Sequence, residues 1–480
     1  MKKYIIAIGL ISIFSCTDDH YEGLNVDPMS PSDVPPTFLL TSASKSLFDQ
    51  MVNTNVNTNI FRLVAQYWNE TTYTGETNYD LTERNINGRL WNELYTDVLF
   101  DLKDAKQKIA DTPVTGSFPQ EVKDNQIAII GLLEVYAWQV LVDTFGNVPY
   151  SEALLGLENT LPKYDDAATI YTDLLSRISA DIASINTSSE SFGSDDIIYG
   201  GDSYKWKKFG ASLKLKLAMQ LADVNSSVSQ TAVLEAVNAG LFTSNADNFS
   251  LFYLPTQPNN NPLYTDLVLS NRTDFVAANT IVDYMNPLND PRRPHYFAEN
   301  MGAGVFIGAV YGNSSSYQLN SHAGDILHTP DFPGTLLDYA EVEFLLAEAV
   351  ERGFSVGGSA ESHYNTAISA SMEFWGVSLS DAATYLAQPD VAYSSAPGTW
   401  KEKIGKQFWI AMYNRGFEGW SHWRRLDAPT LNIAAFSQQN VPHRYIYPVD
   451  EYTLNGENCN AAATAIGDDK LTTKLFWDVN

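Results

Sequence analysis

The stretch NQIAIIGLLEVYAWQVLVDTFGNVPY, residues 125–150, decides the fold class. From Asn125 to Val142 it is apolar almost all round, which predicts a central helix buried on every side. It stops in Asp143-Thr144-Phe145-Gly146-Asn147-Val148-Pro149-Tyr150, where Gly146 and Pro149 supply the turn. Amphipathic patterns lie on either side of it, over 37–69 and 88–109 before it and over 167–185 and 204–223 after it. Helical spacing returns in the last third. Residues 336–352 carry Val342, Leu345, Leu346 and Ala349, then Gly353 as a cap. Residues 360–375 carry Tyr364, Ala367, Ile368, Ser371, Phe374 and Trp375, then Gly376. Thr399 and Glu402 form a capping-box pattern that opens a helix through Tyr413. Successive helix pairs with alanine and aromatic residues at the contacts suggest tetratricopeptide-like packing, so the expected class is mainly α.

Residues 224–335 read differently. Pro255, Pro258, Pro262 and Asn259-Asn260-Asn261 stand among many Gly, Ser and Tyr residues, and Met301 to Gly312 suggests a short hairpin. Residues 377–398 are also loop-like. Long irregular segments on a rigid scaffold usually carry function. The expected organisation is one domain over 37–480, with a helical scaffold over about 37–223 and 336–480 and a loop-rich insert over about 224–335.

The first fifteen residues read as a signal peptide: Lys2 and Lys3, then an apolar run from Tyr4 to Phe14 that is short for a bilayer span. It ends at Ser15-Cys16, which resembles a bacterial lipobox and makes Cys16 the expected lipidation site. Acidic Thr17-Asp18-Asp19 resembles a surface-export signal of Bacteroidetes lipoproteins. Residues 16–36, polar and proline-rich, then form a tether. No later stretch is apolar for eighteen residues, so the chain is expected to be anchored rather than spanning. The formal net charge is −27. Without the leader 28 basic residues face 57 acidic ones, a net −29. Such a surface repels phosphate backbones, which argues against nucleic-acid binding. Cys459 is the one remaining cysteine, so no disulfide framework is expected.

Several segments resemble the SusD/RagB family of nutrient-binding outer-membrane lipoproteins. They are Leu24-Asn25-Val26-Asp27-Pro28, Gln66-Tyr67-Trp68-Asn69-Glu70-Thr71-Thr72-Tyr73, the run from Asp143 to Ala153, and Asp338-Tyr339-Ala340-Glu341 through Ala349. The most telling is Gly416-Phe417-Glu418-Gly419-Trp420-Ser421-His422-Trp423-Arg424-Arg425-Leu426, followed by Arg444-Tyr445-Ile446-Tyr447-Pro448 and the closing Leu475-Phe476-Trp477-Asp478. The resemblance implies a scaffold of four tetratricopeptide-like helix pairs, and a partner: a SusC-like TonB-dependent outer-membrane transporter. The implied function is to capture a glycan or oligopeptide at the cell surface and deliver it to that transporter.

Glu418, Trp420, Arg424 and Arg425 read as a buried, charge-paired brace, because Arg and Glu are rarely buried unpaired; Arg444 with Glu451 reads the same way. Aromatic and polar residues in loops are better candidates for ligand contact. A sugar offers an apolar ring face and a polar rim, which suits flat rings beside Asn or Arg in an aromatic-lined surface. The candidates are Trp68, Tyr73, Asn78 and Tyr79 near the first helical region, and Tyr264, Asn271, Arg272, Phe306, Tyr311 and Tyr317 in the insert, with Tyr73 and Tyr79 foremost. No catalytic residue, metal ligand set or cofactor motif stands out: the seven His lack metal-ligand spacing and no Gly-x-Ser-x-Gly elbow occurs. Two other functions stay open, a surface glycoside hydrolase and an adhesive surface lipoprotein without a transport role.

Overall fold

The computed structural model describes residues 34–480. The leader, Cys16 and most of the tether lie outside the described residues. Ten principal helices build the scaffold: α1 Pro36–Val52, α2 Asp101–Asp111, α3 Gln120–Phe145, α4 Ala167–Ser184, α5 Ser203–Gln220, α6 Ser226–Ala239, α7 Tyr339–Glu351, α8 Ala360–Phe374, α9 Trp400–Ala411 and α10 Gly416–Leu426. They pack as consecutive pairs, α3 with α4, α5 with α6, α7 with α8 and α9 with α10; α5 and α7 join neighbouring pairs. The last three pairs are joined by short connections, as expected of packed neighbours, and the first by the longer segment 146–166.

The central helix α3 is buried from Asn125 to Phe145 but for Ile127. By length and a mean hydropathy of 1.5 it could cross a bilayer. Its polar residues say otherwise: Asn125 donates to three backbone carbonyls of 186–190, and Tyr171 donates to Asp143 at 2.7 Å. It is the core helix, and each fully buried leucine in it, such as Leu132 and Leu133, is worth about 1.5–3 kcal/mol relative to exposure.

Several boundaries differ from the sequence reading, each for a local reason. The helix expected over 37–69 ends at Val52. Asn53, Asn55 and Asn59 each accept, through Oδ1, a backbone N–H two residues on, at 3.0 Å. Three such side-chain turns in seven residues outcompete the helical ladder. The scaffold runs past 223, because Asn225 caps α6 and that helix packs on α5; the irregular insert starts at Gly240. Met301–Gly312 forms no hairpin: Ala309 instead bridges to Ala278. Within 377–398, Ser378 caps a short helix over Leu379–Leu386. The capping box at Thr399 and Glu402 is present, with reciprocal backbone bonds.

Three two-stranded antiparallel sheets tie the insert and loops to the scaffold. They are β1 Trp68–Glu70 with β5 Phe275–Ala277, β2 Val148–Pro149 with β3 Tyr164–Asp165, and β4 Phe249–Leu251 with β6 Gly334–Leu337. The first matters most for the site. Its register pairs Trp68 with Ala277 and Glu70 with Phe275, and beyond it the Thr71 N–H donates to the Asp274 carbonyl at 2.8 Å. Carried on, this register sets Tyr73 opposite Arg272.

Candidate functional site

Two charge-rich regions stand out. The first is internal, at the run 416–426. Gly416 and Gly419 let α10 approach closely: a Cβ on Gly416 would lie 2.3 Å from the Arg62 nitrogen, and one on Gly419 2.0 Å from the Tyr67 hydroxyl. At this contact Lys216 of α5 bonds Glu418 and lies 3.5 Å from Glu341. Arg415 reaches Glu341 at 2.5 Å and Asp338 at 2.7 Å, and His422 Nε2 meets Glu341 at 3.0 Å. Arg425 and Arg352 converge on Glu348. Burial pushes Glu341 up, but Lys216 and Arg415 outweigh it and hold its carboxyl well below the usual range. Burial raises Glu418 to about 7 against the pull of Lys216, and lowers His422 to about 4. The ligand atoms of Glu341, Glu418 and His422 lie within 4.8 Å of one another, a spacing a metal ion would accept. Lys216 and Arg415 already supply the counter-charge there, so the cluster works as an internal brace.

Arg424 belongs to the same brace. It lies 3.6 Å from the Trp420 ring centroid and 4.8 Å from that of Trp477, and donates to the Asp143 and His443 carbonyls. Arg444 does not pair with Glu451: it binds Asp469 and the Phe145 carbonyl, while Glu451 accepts from Tyr164 at 2.6 Å.

The second region is an open groove formed by three hollows with shared walls. One, of about 330 Å³, is lined by Asp49, Asn53, Asn55, Glu93, Pro258 and Asp266 among others. A second, of about 200 Å³, shares Asn55 and Asp266 and adds Arg84, Arg272 and Asp274. A third, small one continues past Arg84 and Arg272 to Glu70 and Tyr73. The side-chain turns of 53–59 place Asn55, and the β1–β5 register places Tyr73 and Arg272. Glu93 and Asp266 each sit on a π-type helical turn, Glu93–Phe100 and Thr265–Leu269. These are the two such segments among the described residues. Turns of this kind are rare and recur at functional sites.

The 71–84 loop is held from below. Glu70 accepts from the Thr77 N–H at 3.0 Å and the Thr77 hydroxyl at 3.1 Å, and Arg84 bonds Glu76 at 2.5 Å. Burial and the neighbouring Glu76 push Glu70 up to about 9, so it carries its proton at neutral pH. Tyr73 projects from the loop, 69% exposed. Arg272 pairs with Asp274.

Of the ten residues singled out from sequence, the structure brings Tyr73 and Arg272 together, with exposed Asn271 beside them and half-buried Tyr264 on the turn before Asp266. Four others are buried. Trp68 donates to the Tyr413 hydroxyl at 2.8 Å, Tyr79 accepts from Gln66, Tyr311 donates to the Leu63 carbonyl at 2.7 Å, and Phe306 packs under Arg293. Asn78 spends its amide on the Thr74 and Gly312 carbonyls and the Ser437 N–H. Tyr317 stacks on His322 at 3.7 Å, away from the groove lining. The groove is polar rather than aromatic: Tyr73 and Phe275 are its two lining rings. Asn55, Arg84, Glu93, Asp266 and Asp274 were not singled out. The Asn-rich run 53–59 was the one signal for any of them.

A family model described as SusD-like, starch-binding and associating with the outer membrane, matches residues 28–448. The chain belongs to the SusD-like family. Among solved structures, a chitin-binding protein superposes with a TM-score of 0.79 at 26% identity, over 93% of this chain and 100% of that one. A SusD homologue from Bacteroides uniformis superposes at 0.75 and 25% identity, over 92% and 100%. A chitin-binding SusD homologue from Flavobacterium johnsoniae gives 0.76 at 24%, over 93% and 98%. No curated protein matches the chain. SusD-like proteins are helical with tetratricopeptide-like repeats, and the four helix pairs described above are this chain's version.

Proposed function

We propose that this chain is a lipid-anchored, cell-surface glycan-binding protein that captures an oligosaccharide in the groove and passes it to a SusC-like TonB-dependent transporter. The observation that carries the reading is the meeting of exposed Tyr73 with Arg272 over a polar groove. A pyranose needs a flat apolar face and hydrogen-bond partners around its rim, and Tyr73 supplies the first while Arg272, Arg84, Asn55 and Asp266 supply the second. The family supports the glycan class, and so does the 26% identical chitin-binding protein. Binding here is by contact alone, and a surface glycoside hydrolase would instead show turnover.

Calorimetry with N-acetylglucosamine oligomers and starch oligomers tests the reading. Binding that falls roughly tenfold or more in Tyr73→Ala and Arg272→Ala supports it. No binding to either class, or binding indifferent to both substitutions, rejects it. Cleavage of the oligomers would favour the hydrolase. Co-purification of a barrel protein from solubilised outer membrane tests the transporter partnership, and its absence favours the adhesive lipoprotein.

A further inference from the structure

The charge inventory of the groove points to its ligand class, on the premise that the groove is the glycan site. Two cations line it, Arg84 and Arg272, and both are already ion-paired, with Glu76 and Asp274. Asp49 is paired with Lys45 and accepts from Tyr253. Glu93 and Asp266 form no ion pair among the described residues, and no Lys or Arg lines the hollow of about 330 Å³ that they share. Buried Arg62 acts on Asp266 from inside, lowering its carboxyl against burial, but its N–H groups donate to the Val52 and Asn53 carbonyls and to Asn414 rather than to Asp266. Burial raises both carboxyls and neighbouring Asp97 adds to the rise at Glu93, against the hydrogen bonds they accept, Glu93 from Ser46 and Asp266 from the Thr54 N–H at 2.9 Å. They thus stand in a wall short of positive charge.

We infer that the groove is a charge filter: it admits neutral and amine-bearing glycans and rejects those carrying carboxylate or sulfate groups. A uronate or sulfate entering the groove would meet arginines already paired with carboxylates and two further carboxylates that form no ion pair, Asp266 being offset only in part by buried Arg62. Like charges brought together in a partly desolvated wall repel strongly. An ammonium on a hexosamine would instead give Glu93 and Asp266 the partner they lack. Glu93 is the specificity determinant we single out. It is half-buried on its turn, so its charge can be changed without opening the core.

Calorimetry at low salt on the purified protein, with tetramers of glucosamine, N-acetylglucosamine and galacturonate, tests this. The expected order is glucosamine tightest, N-acetylglucosamine next and galacturonate at least about tenfold weaker than the neutral tetramer, with the spread narrowing as salt is raised. Glu93→Lys is expected to reverse part of the order, improving galacturonate and weakening glucosamine by roughly tenfold each. Galacturonate binding as tightly as the neutral tetramer in the unmodified protein overturns the filter while leaving the glycan site standing, and so does an order unmoved by salt. Failure of all three sugars and of a starch tetramer to bind overturns the glycan reading and the filter with it. So does capture of lysine-rich peptides alone, lost in Glu93→Lys. Should Glu93→Lys fail to fold, the salt dependence of the unmodified protein decides.

Discussion

The brace beneath α10 and the groove beside Tyr73 are built from the same residue types, arginines and carboxylates, yet they do opposite things. In the brace, Lys216, Glu341, Glu418, Arg415 and Arg425 are all buried and each has an opposite charge in contact. In the groove, the charges face open hollows, and two of the carboxylates have no ion partner. The difference is burial. A charge removed from water has to be matched inside the protein, so the brace is closed and holds the fold. A charge on the groove wall is only partly buried, so it keeps part of its hydration and stays free to meet a ligand. The residues most prominent in the sequence therefore serve stability, and those proposed to meet a ligand come from unremarkable stretches.

The comparison breaks if removing a brace charge is harmless. Glu341→Ala removes the buried carboxylate that Lys216, Arg415 and His422 share, leaving Lys216 with Glu418 and Arg415 with Asp338, and the expected loss is up to about 3–5 kcal/mol of unfolding free energy, read from urea denaturation. Gly419→Ala presses a methyl into the Tyr67 hydroxyl and is expected to cost about 1–3 kcal/mol in the same assay.

Glu70 sharpens the contrast, because it lies under the groove yet is as buried as the brace. Burial and Glu76 raise its folded pKa to about 9 from an ordinary 4.5. Between those values the folded chain keeps a proton that the unfolded chain releases. Its contribution to stability is therefore complete below pH 4.5, shrinks as pH rises through this window and is gone above about 9. Thermal unfolding across that range should show the decline, and Glu70→Gln should flatten it. Tyr73→Ala marks the far end of the scale: stability is expected to change by less than about 0.5 kcal/mol, because the ring is exposed, while glycan affinity falls. A destabilisation comparable to Glu341→Ala would place Tyr73 with the structural residues.

The central helix and the cap at Thr399 follow from local patterns, and α3, α4, α5, α7 and α8 are legible from spacing, whereas α6, capped by Asn225, lies in the stretch read as loop-rich. Of the candidate site, Tyr73 and Arg272 were legible as exposed-type residues in irregular segments. Trp68, Tyr79, Phe306 and Tyr311 looked the same and are buried, because an aromatic in a loop covers core as readily as it faces solvent. Glu93 and Asp266 carried no signal, since a single acid in an acidic chain is unremarkable.

What the chain determines by itself is periodic and local: which segments coil, where they stop, and that the run 416–426 is too rich in charge, aromatic rings and glycine to be ordinary surface. What only the folded structure decided is which side chains share a wall. Tyr73 meets Arg272 across about two hundred residues because an antiparallel pairing brings the segments just beyond its strands together, and Glu93 shares a hollow with Asp266 because two π-type turns open on it. Such meetings depend on long-range packing, and no spacing along a single stretch of chain records them.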